Sequence, residues 1–73
     1  MYDMKYAVVI EQGPNSFGAR VPDLPGCVAV GSTKEEVLRL IREAIELHVQ
    51  SLAEQGKEVP LPTSSIEYVH VAA

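Results

Sequence analysis

The chain has 73 residues, of which 47% are hydrophobic, and it carries ten acidic and six basic side chains for a net charge of −4. This length is typical of one domain spanning residues 1–73, and the hydrophobic content excludes a disordered chain. The basic residues are scattered, whereas phosphate binding needs clustered Lys and Arg, so we expect no direct contact with nucleic acid.

The sequence shows no sign of export, of a disulfide within the chain or of membrane insertion. The lone cysteine, Cys27, has no partner for a disulfide within the chain. The first residues lack the basic end and apolar run of a signal peptide. No apolar stretch approaches the roughly 18 residues of a membrane span. We therefore expect a cytoplasmic protein that does not bind a membrane.

Three short strands are predicted in the first half of the chain. Residues 4–11 are apolar on both faces, a composition typical of a central strand. The turn at 13–15 leads into a second strand at 16–21, and the short loop indicates an antiparallel hairpin. Pro22 ends this pairing. Residues 27–31 are β-rich and predict a third strand in a meander.

A long helix follows the third strand. Thr33 and Glu36 fit a capping box, and the same motif shifted back by one residue is the alternative. The helix is expected to run to about Gln55, with Gly56 as the residue that ends it.

The apolar arc of this helix is wider than one sheet face needs. A central stripe and one flank supply a face for the sheet: Val37, Ile41, Ala44, His48 and Leu52, with Leu38, Ile45 and Val49 beside them. Leu40 and Leu47 lie on the other flank. We predict that they form a second contact with a dimer partner or another protein. The alternative is that the connection at 57–64 covers them.

The end of the sequence predicts one more strand. Residues 58–63 form a proline-stiffened connection, and residues 65–71 alternate like a strand that rejoins the sheet. The predicted order is β-β-β-α-β, an α+β two-layer sandwich with an antiparallel meander, one helix and a final strand.

Few residues suggest chemistry. His48 lies on the apolar stripe, where we expect a packed imidazole, and only His70 is available as a second histidine ligand. Cys27 is expected to be a small buried apolar residue. Glu35 and Glu36 are explained by the positive end of the helix. No nucleophile with a base appears, so we expect no catalytic residue, no metal, no cofactor and no enzyme activity.

The run Asp23-Leu24-Pro25-Gly26-Cys27, followed by residues 31–37, resembles the HicB-like antitoxin family. Residues 5–10 and 41–45 also match its pattern, and the resemblance extends over residues 4–71. It implies a partial ribonuclease-H-like fold without a working nuclease site. It also implies dimers or higher assemblies, and neutralisation of a small basic, mRNA-cleaving toxin by direct contact. An orphan self-associating domain without a toxin partner is the alternative.

Many members of that family carry a C-terminal DNA-binding segment. This sequence stops at Ala73, so we expect a single-domain member without autorepression. The candidate partner-binding residues are Leu40 and Leu47 on the helix, and Asp23 and Leu24 in the turn. For the turn, the favoured interpretation is that it only sets the exit of the strand, because Pro and Gly have evident conformational uses there, and contact with a partner is the other possibility.

Overall fold

A computed structural model describes residues 3–73, and it contains a small sheet followed by one helix. The elements are β1 (Val9–Gln12), β2 (Phe17–Arg20), β3 (Val28–Gly31) and α1 (Lys34–Glu54). The sheet order is β1-β2-β3, and both pairs are antiparallel. The predicted meander, the helix and the α+β class are confirmed.

The register places one row of small and aliphatic side chains under the helix. Ile10 pairs with Ala19, and Ala19 pairs with Ala29, so these three side chains share one face of the sheet. Ala19 is buried on this face. The neighbouring row, which includes Val28 and Arg20, points to the opposite face because side chains alternate along a strand.

The loop between β2 and β3 is closed by its own backbone. The Val21 amide donates to the Cys27 carbonyl at 3.2 Å, and the Cys27 amide donates to the Leu24 carbonyl at 3.0 Å. The second of these hydrogen bonds closes a four-residue turn, Leu24–Cys27. Pro25 and Gly26 are its two central residues, and Gly26 has φ +86°. A positive φ after proline is the type II pattern, which favours glycine. This turn therefore has the backbone geometry that Pro25 and Gly26 favour.

Both ends of α1 are capped. The Thr33 hydroxyl accepts the Glu36 amide at 3.0 Å, and the Glu36 carboxylate accepts the Ser32 amide at 2.8 Å. Thr33 is therefore the N-cap, as predicted, and the glutamate reaches one residue beyond it. At the other end, Gly56 has φ +69° and the Lys57 amide donates to the Leu52 carbonyl at 2.9 Å. This is a Schellman ending.

The core lies between one sheet face and α1. Its buried side chains are Ala19, Val21, Leu24, Cys27, Val37 and Ile41. The loop after β2 contributes three of these six, Val21, Leu24 and Cys27, as many as β2 and α1 together, and Leu24 has no exposed surface at all. Burial also raises the pKa of the Cys27 thiol. Cys27 is the buried apolar residue that its position predicts.

The structure differs from the sequence prediction at the sheet edges. Residues 65–71 carry no strand, and β1 lies at an edge of the described sheet instead of its centre. Tyr68 is 94% exposed. Alternating apolar residues favour an extended backbone but contain no information about the partner strand. This explains why the alternation in residues 65–71 did not predict whether they pair with the sheet.

Candidate partner-binding surfaces

Leu40 and Leu47 lie two helical turns apart on the same side of α1, as predicted. Leu47 is 67% exposed, and Leu40 is half-buried. Glu43 lies between them at helical spacing, and its Oε1 is 3.5 Å from Nη1 of Arg39. We call Leu40, Glu43 and Leu47 the outer helix strip. It combines an exposed apolar side chain with a carboxylate.

The connection after α1 does not cover Leu47. It is held instead at two points near the start of β1 and the loop after β2. The Tyr6 hydroxyl donates to the Pro60 carbonyl, and Asp23 binds Thr63 and Ser64. The alternative in which residues 57–64 bury both leucines is therefore wrong for Leu47.

Asp23 holds the chain after the helix in place through four hydrogen bonds. Its Oδ2 accepts the amides of Thr63 and Ser64 at 3.0 and 2.9 Å. Its Oδ1 accepts the two hydroxyls at 3.2 and 2.8 Å. We call this arrangement the Asp23 clamp. The Ser64 amide and hydroxyl are the main reasons why the pKa of Asp23 is lowered, since hydrogen bonds to a carboxylate favour its charged form.

The four predicted contact residues do not share one open surface. Leu24 is fully buried with Val37 and Ile41, so its side chain has no surface to offer in this conformation. Asp23 is only partly exposed, and its two oxygens already accept hydrogen bonds from Thr63 and Ser64. Leu40 and Leu47 are the two that lie along an outer face. Whether any of them contacts a partner stays a prediction.

The Asp23 clamp predicts a pH effect on the chain around Ser64. Because the folded-state pKa lies below the usual aspartate value of 3.8, the clamp stabilises the fold above that pH. Its contribution is lost as the pH falls through the lower, folded-state pKa. We expect the amide resonances of Thr63 and Ser64 to titrate together, with a midpoint below 3.8.

Asp23→Asn is the matched control, because it keeps the shape of the side chain and removes its charge. In that variant the shared titration step should vanish. A midpoint at or above 3.8 in the unaltered chain, or an unchanged step in Asp23→Asn, contradicts a charged clamp.

A second exposed apolar surface lies on the sheet face opposite α1, and sequence reasoning did not single it out. Val28 and Val30 of β3 are 63% and 69% exposed. They pair across the strands with Arg20 and Gly18 respectively, and Arg20 Nε lies 3.3 Å from Glu11 Oε1. The alternation of Val28 and Val30 around Ala29 in the sequence is the pattern that could have predicted this exposed apolar surface.

Residues 3–73 show little that suggests metal or membrane chemistry. Within this range, no three His, Cys, Asp or Glu side chains lie close enough together to hold a metal ion. No helix in the same range is sufficiently long and apolar to cross a bilayer. His48 is half-buried on α1.

Comparison with known proteins identifies the family. The sequence model of the HicB-like antitoxin of bacterial toxin–antitoxin systems matches residues 6–72. The chain belongs to the HicB-like antitoxin family. The match covers the sheet, α1 and the C-terminal segment, so the resemblance carried by the Asp23–Val37 run extends across almost the whole chain.

Relatives of this HicB-like chain come from bacteria, archaea and a phage. A UPF0150 protein of Thermoplasma acidophilum is 37% identical over 68 residues, which cover 92% of this chain and 99% of that protein. Antitoxin HicB 2 of Photorhabdus laumondii is 29% identical over 97% of this chain and 52% of its own length. A 14.9 kDa protein of Haemophilus phage HP1 is 31% identical over 92% of this chain and 50% of its own length. The HicB-like chain thus spans about half the length of these last two.

Proposed function

We propose that this HicB-like chain neutralises a small, basic, mRNA-cleaving toxin by direct protein contact. In this proposal it acts as one domain in the cytoplasm, without catalysis of its own, and as a homo-oligomer. Membership of the family supports a toxin–antitoxin role. The name of the Photorhabdus relative, Antitoxin HicB 2, points the same way.

The outer helix strip is the observation that supports direct contact. Leu47 is an exposed apolar side chain, with Glu43 one turn before it and Glu54 two turns after it on the same side of α1. Protein interfaces combine an apolar centre with a charged rim, and complementary charge directs the encounter. An apolar strip with a carboxylate edge, on a chain of net charge −4, suits a basic partner.

Binding to the toxin is tested with two matched charge substitutions. The gene neighbourhood is first searched for a small basic protein; such a protein is then co-expressed with this chain, and the affinity of the purified pair is measured. Leu47→Glu should raise Kd by at least about tenfold, because it places a charge in a desolvated apolar contact. Val30→Glu alters a side chain of similar exposure on the sheet face, at 69% against 67%, and should leave Kd nearly unchanged.

Each outcome of this experiment has a defined meaning. If Val30→Glu weakens binding and Leu47→Glu does not, the contact lies on the sheet face and the outer helix strip is excluded. If the neighbouring basic protein neither co-purifies with the unaltered chain nor is toxic when expressed alone, toxin neutralisation is excluded.

A self-associating domain without a toxin partner is the second candidate function. It is favoured by the exposed apolar side chains near the C-terminus, among them Tyr68, Val69 and Val71. Contiguous exposed apolar surface of this kind marks interaction sites in soluble proteins. Sedimentation velocity at micromolar concentration tests it. A single species with the mass of one chain excludes it.

A further inference from the structure

Two segments of this chain have the composition of interior strands, yet in the described residues β1 lies at an edge of the sheet and residues 65–71 form no strand. β1 and the residues before it are apolar on both faces, with Val8 and Ile10 on one side and Val9 on the other. Residues 65–71 show the same property, because both Tyr68 and Val69 are apolar. Strands with two apolar faces are normally covered on both.

The backbones of these two segments also do not pair with each other in the described residues. Across residues 3–73, no backbone hydrogen bond joins residues 65–71 to β1, and β1 pairs only with β2. Ile66 and Tyr68 instead line an open cleft of about 440 Å³ together with Val8, Val9 and Ile10. Each segment therefore presents a row of amides and carbonyls to which another strand can bind.

The Asp23 clamp fixes the point from which residues 65–71 depart. Ser64 is bound through both its amide and its hydroxyl, and Ile66 lies two residues further along. The segment thus begins beside the sheet, and Tyr68 remains 94% exposed although it borders the cleft beside β1. The start of the segment is therefore anchored, and its apolar side chains are left uncovered, so a neighbouring molecule can contact them.

We propose that residues 65–71 of one copy add as a strand to the β1 edge of a second copy, and that the two copies exchange these segments reciprocally. A two-fold axis satisfies both edges at once, because every copy then donates one segment and receives one. Main-chain hydrogen bonds supply the contact, as in other cases of strand addition to a sheet edge.

A second copy suits this edge better than a basic toxin does. Glu67 is the one carboxylate in residues 65–71, and the side chains that need cover there are Ile66, Tyr68, Val69 and Val71. Apart from Ile66 and Tyr68 themselves, four of the six side chains that line the cleft beside β1 are aliphatic or aromatic: Val8, Val9, Ile10 and Phe17. Apolar surface on the segment and apolar surface in the cleft complement each other, so the chain carries both halves of the contact.

The first test uses proline substitutions in the full chain. Val69→Pro removes one amide donor from the exchanged strand, and Val69 is largely exposed, so the fold of the single chain is unaffected. Sedimentation velocity should give a dimer for the unaltered chain and a dimer dissociation constant raised at least about tenfold for Val69→Pro. Ala72→Pro, placed beyond the strand, should leave that constant nearly unchanged.

The second test distinguishes exchange between copies from folding back within one copy. Isotope-labelled and unlabelled chains are mixed in equal amounts, refolded together, and examined for NMR contacts between labelled and unlabelled molecules. Contacts between residues 66–70 and residues 8–12 should appear across this boundary. The same contacts seen only within one molecule overturn the proposal in favour of a segment that pairs with its own β1.

The strand exchange rests on the self-association in the proposed function and not on toxin binding. Different experimental results therefore overturn the strand exchange and the toxin neutralisation. A dimer that Val69→Pro leaves intact overturns the strand exchange but keeps self-association. A monomer at all concentrations overturns both. Loss of toxin binding with an intact exchanged dimer overturns neutralisation alone.

Discussion

Leu24→Ala is expected to lower the free energy of unfolding by about 3 kcal/mol, within the range of 2–5 kcal/mol typical of buried leucine truncations. Leu24 has no exposed surface and belongs to the same core cluster as Val37 and Ile41. The smaller side chain leaves a cavity in a rigid site, because the loop around it is closed by its own hydrogen bonds. The change takes a large share of a typical stability of about 5–15 kcal/mol.

Urea unfolding followed by circular dichroism measures this effect. Leu47→Ala is the matched control, since it removes the same atoms from a side chain that is 67% exposed. The control should shift the free energy of unfolding by no more than about 0.5 kcal/mol. Equal midpoints for the two variants would mean that the loop does not contribute to the core.

Gly31→Ala is the second substitution with a large expected effect. A Cβ at this position would lie 2.9 Å from the Val37 amide nitrogen and 3.2 Å from the Val37 Cα. It would also lie 3.1 Å from the Glu36 carboxylate oxygen that binds Ser32. Backbone atoms cannot rotate away, so the first turn of α1 must shift off β3. We expect a loss of about 1–3 kcal/mol, as for other overpacked sites.

Gly18→Ala provides the comparison within the same sheet. The nearest atom to its added Cβ is the Glu11 carbonyl oxygen at 3.9 Å, an ordinary contact distance. Replacing a strand glycine by alanine at an unstrained position should be neutral, or should stabilise by about 0.5–1 kcal/mol. Both variants are measured by the same urea unfolding. If they prove equally stable, the close approach of α1 to β3 at Gly31 is refuted.

The helix and the meander were predictable because their determinants are local. Thr33, Glu36 and Gly56 act within one turn of the helix ends they define, so the sequence places both ends correctly. The short turn after β1 likewise fixes the first hairpin. These features depend on residues that are close together in the chain, and sequence patterns report such local relationships directly.

Pairing over long distances was not predictable in the same way. Residues 65–71 have the alternation of a strand, but nothing in that alternation selects a partner edge. The Asp23 clamp joins residues about forty positions apart, and a Thr-Ser pair has no periodicity that reveals it. Leu47 was found because helical spacing alone places it away from the core stripe, whereas the burial of Leu24 depends on how its loop closes.

The separation between local and distant contacts bears on the order in which the chain folds. Each strand pairs with the next one in sequence, and α1 begins three residues after β3, so these parts assemble over short loops. The bonds from Tyr6 to Pro60 and from Asp23 to Thr63 close far longer loops. Residues 57–64 should therefore dock last and open first, which amide hydrogen exchange would detect as a low-energy opening confined to that stretch.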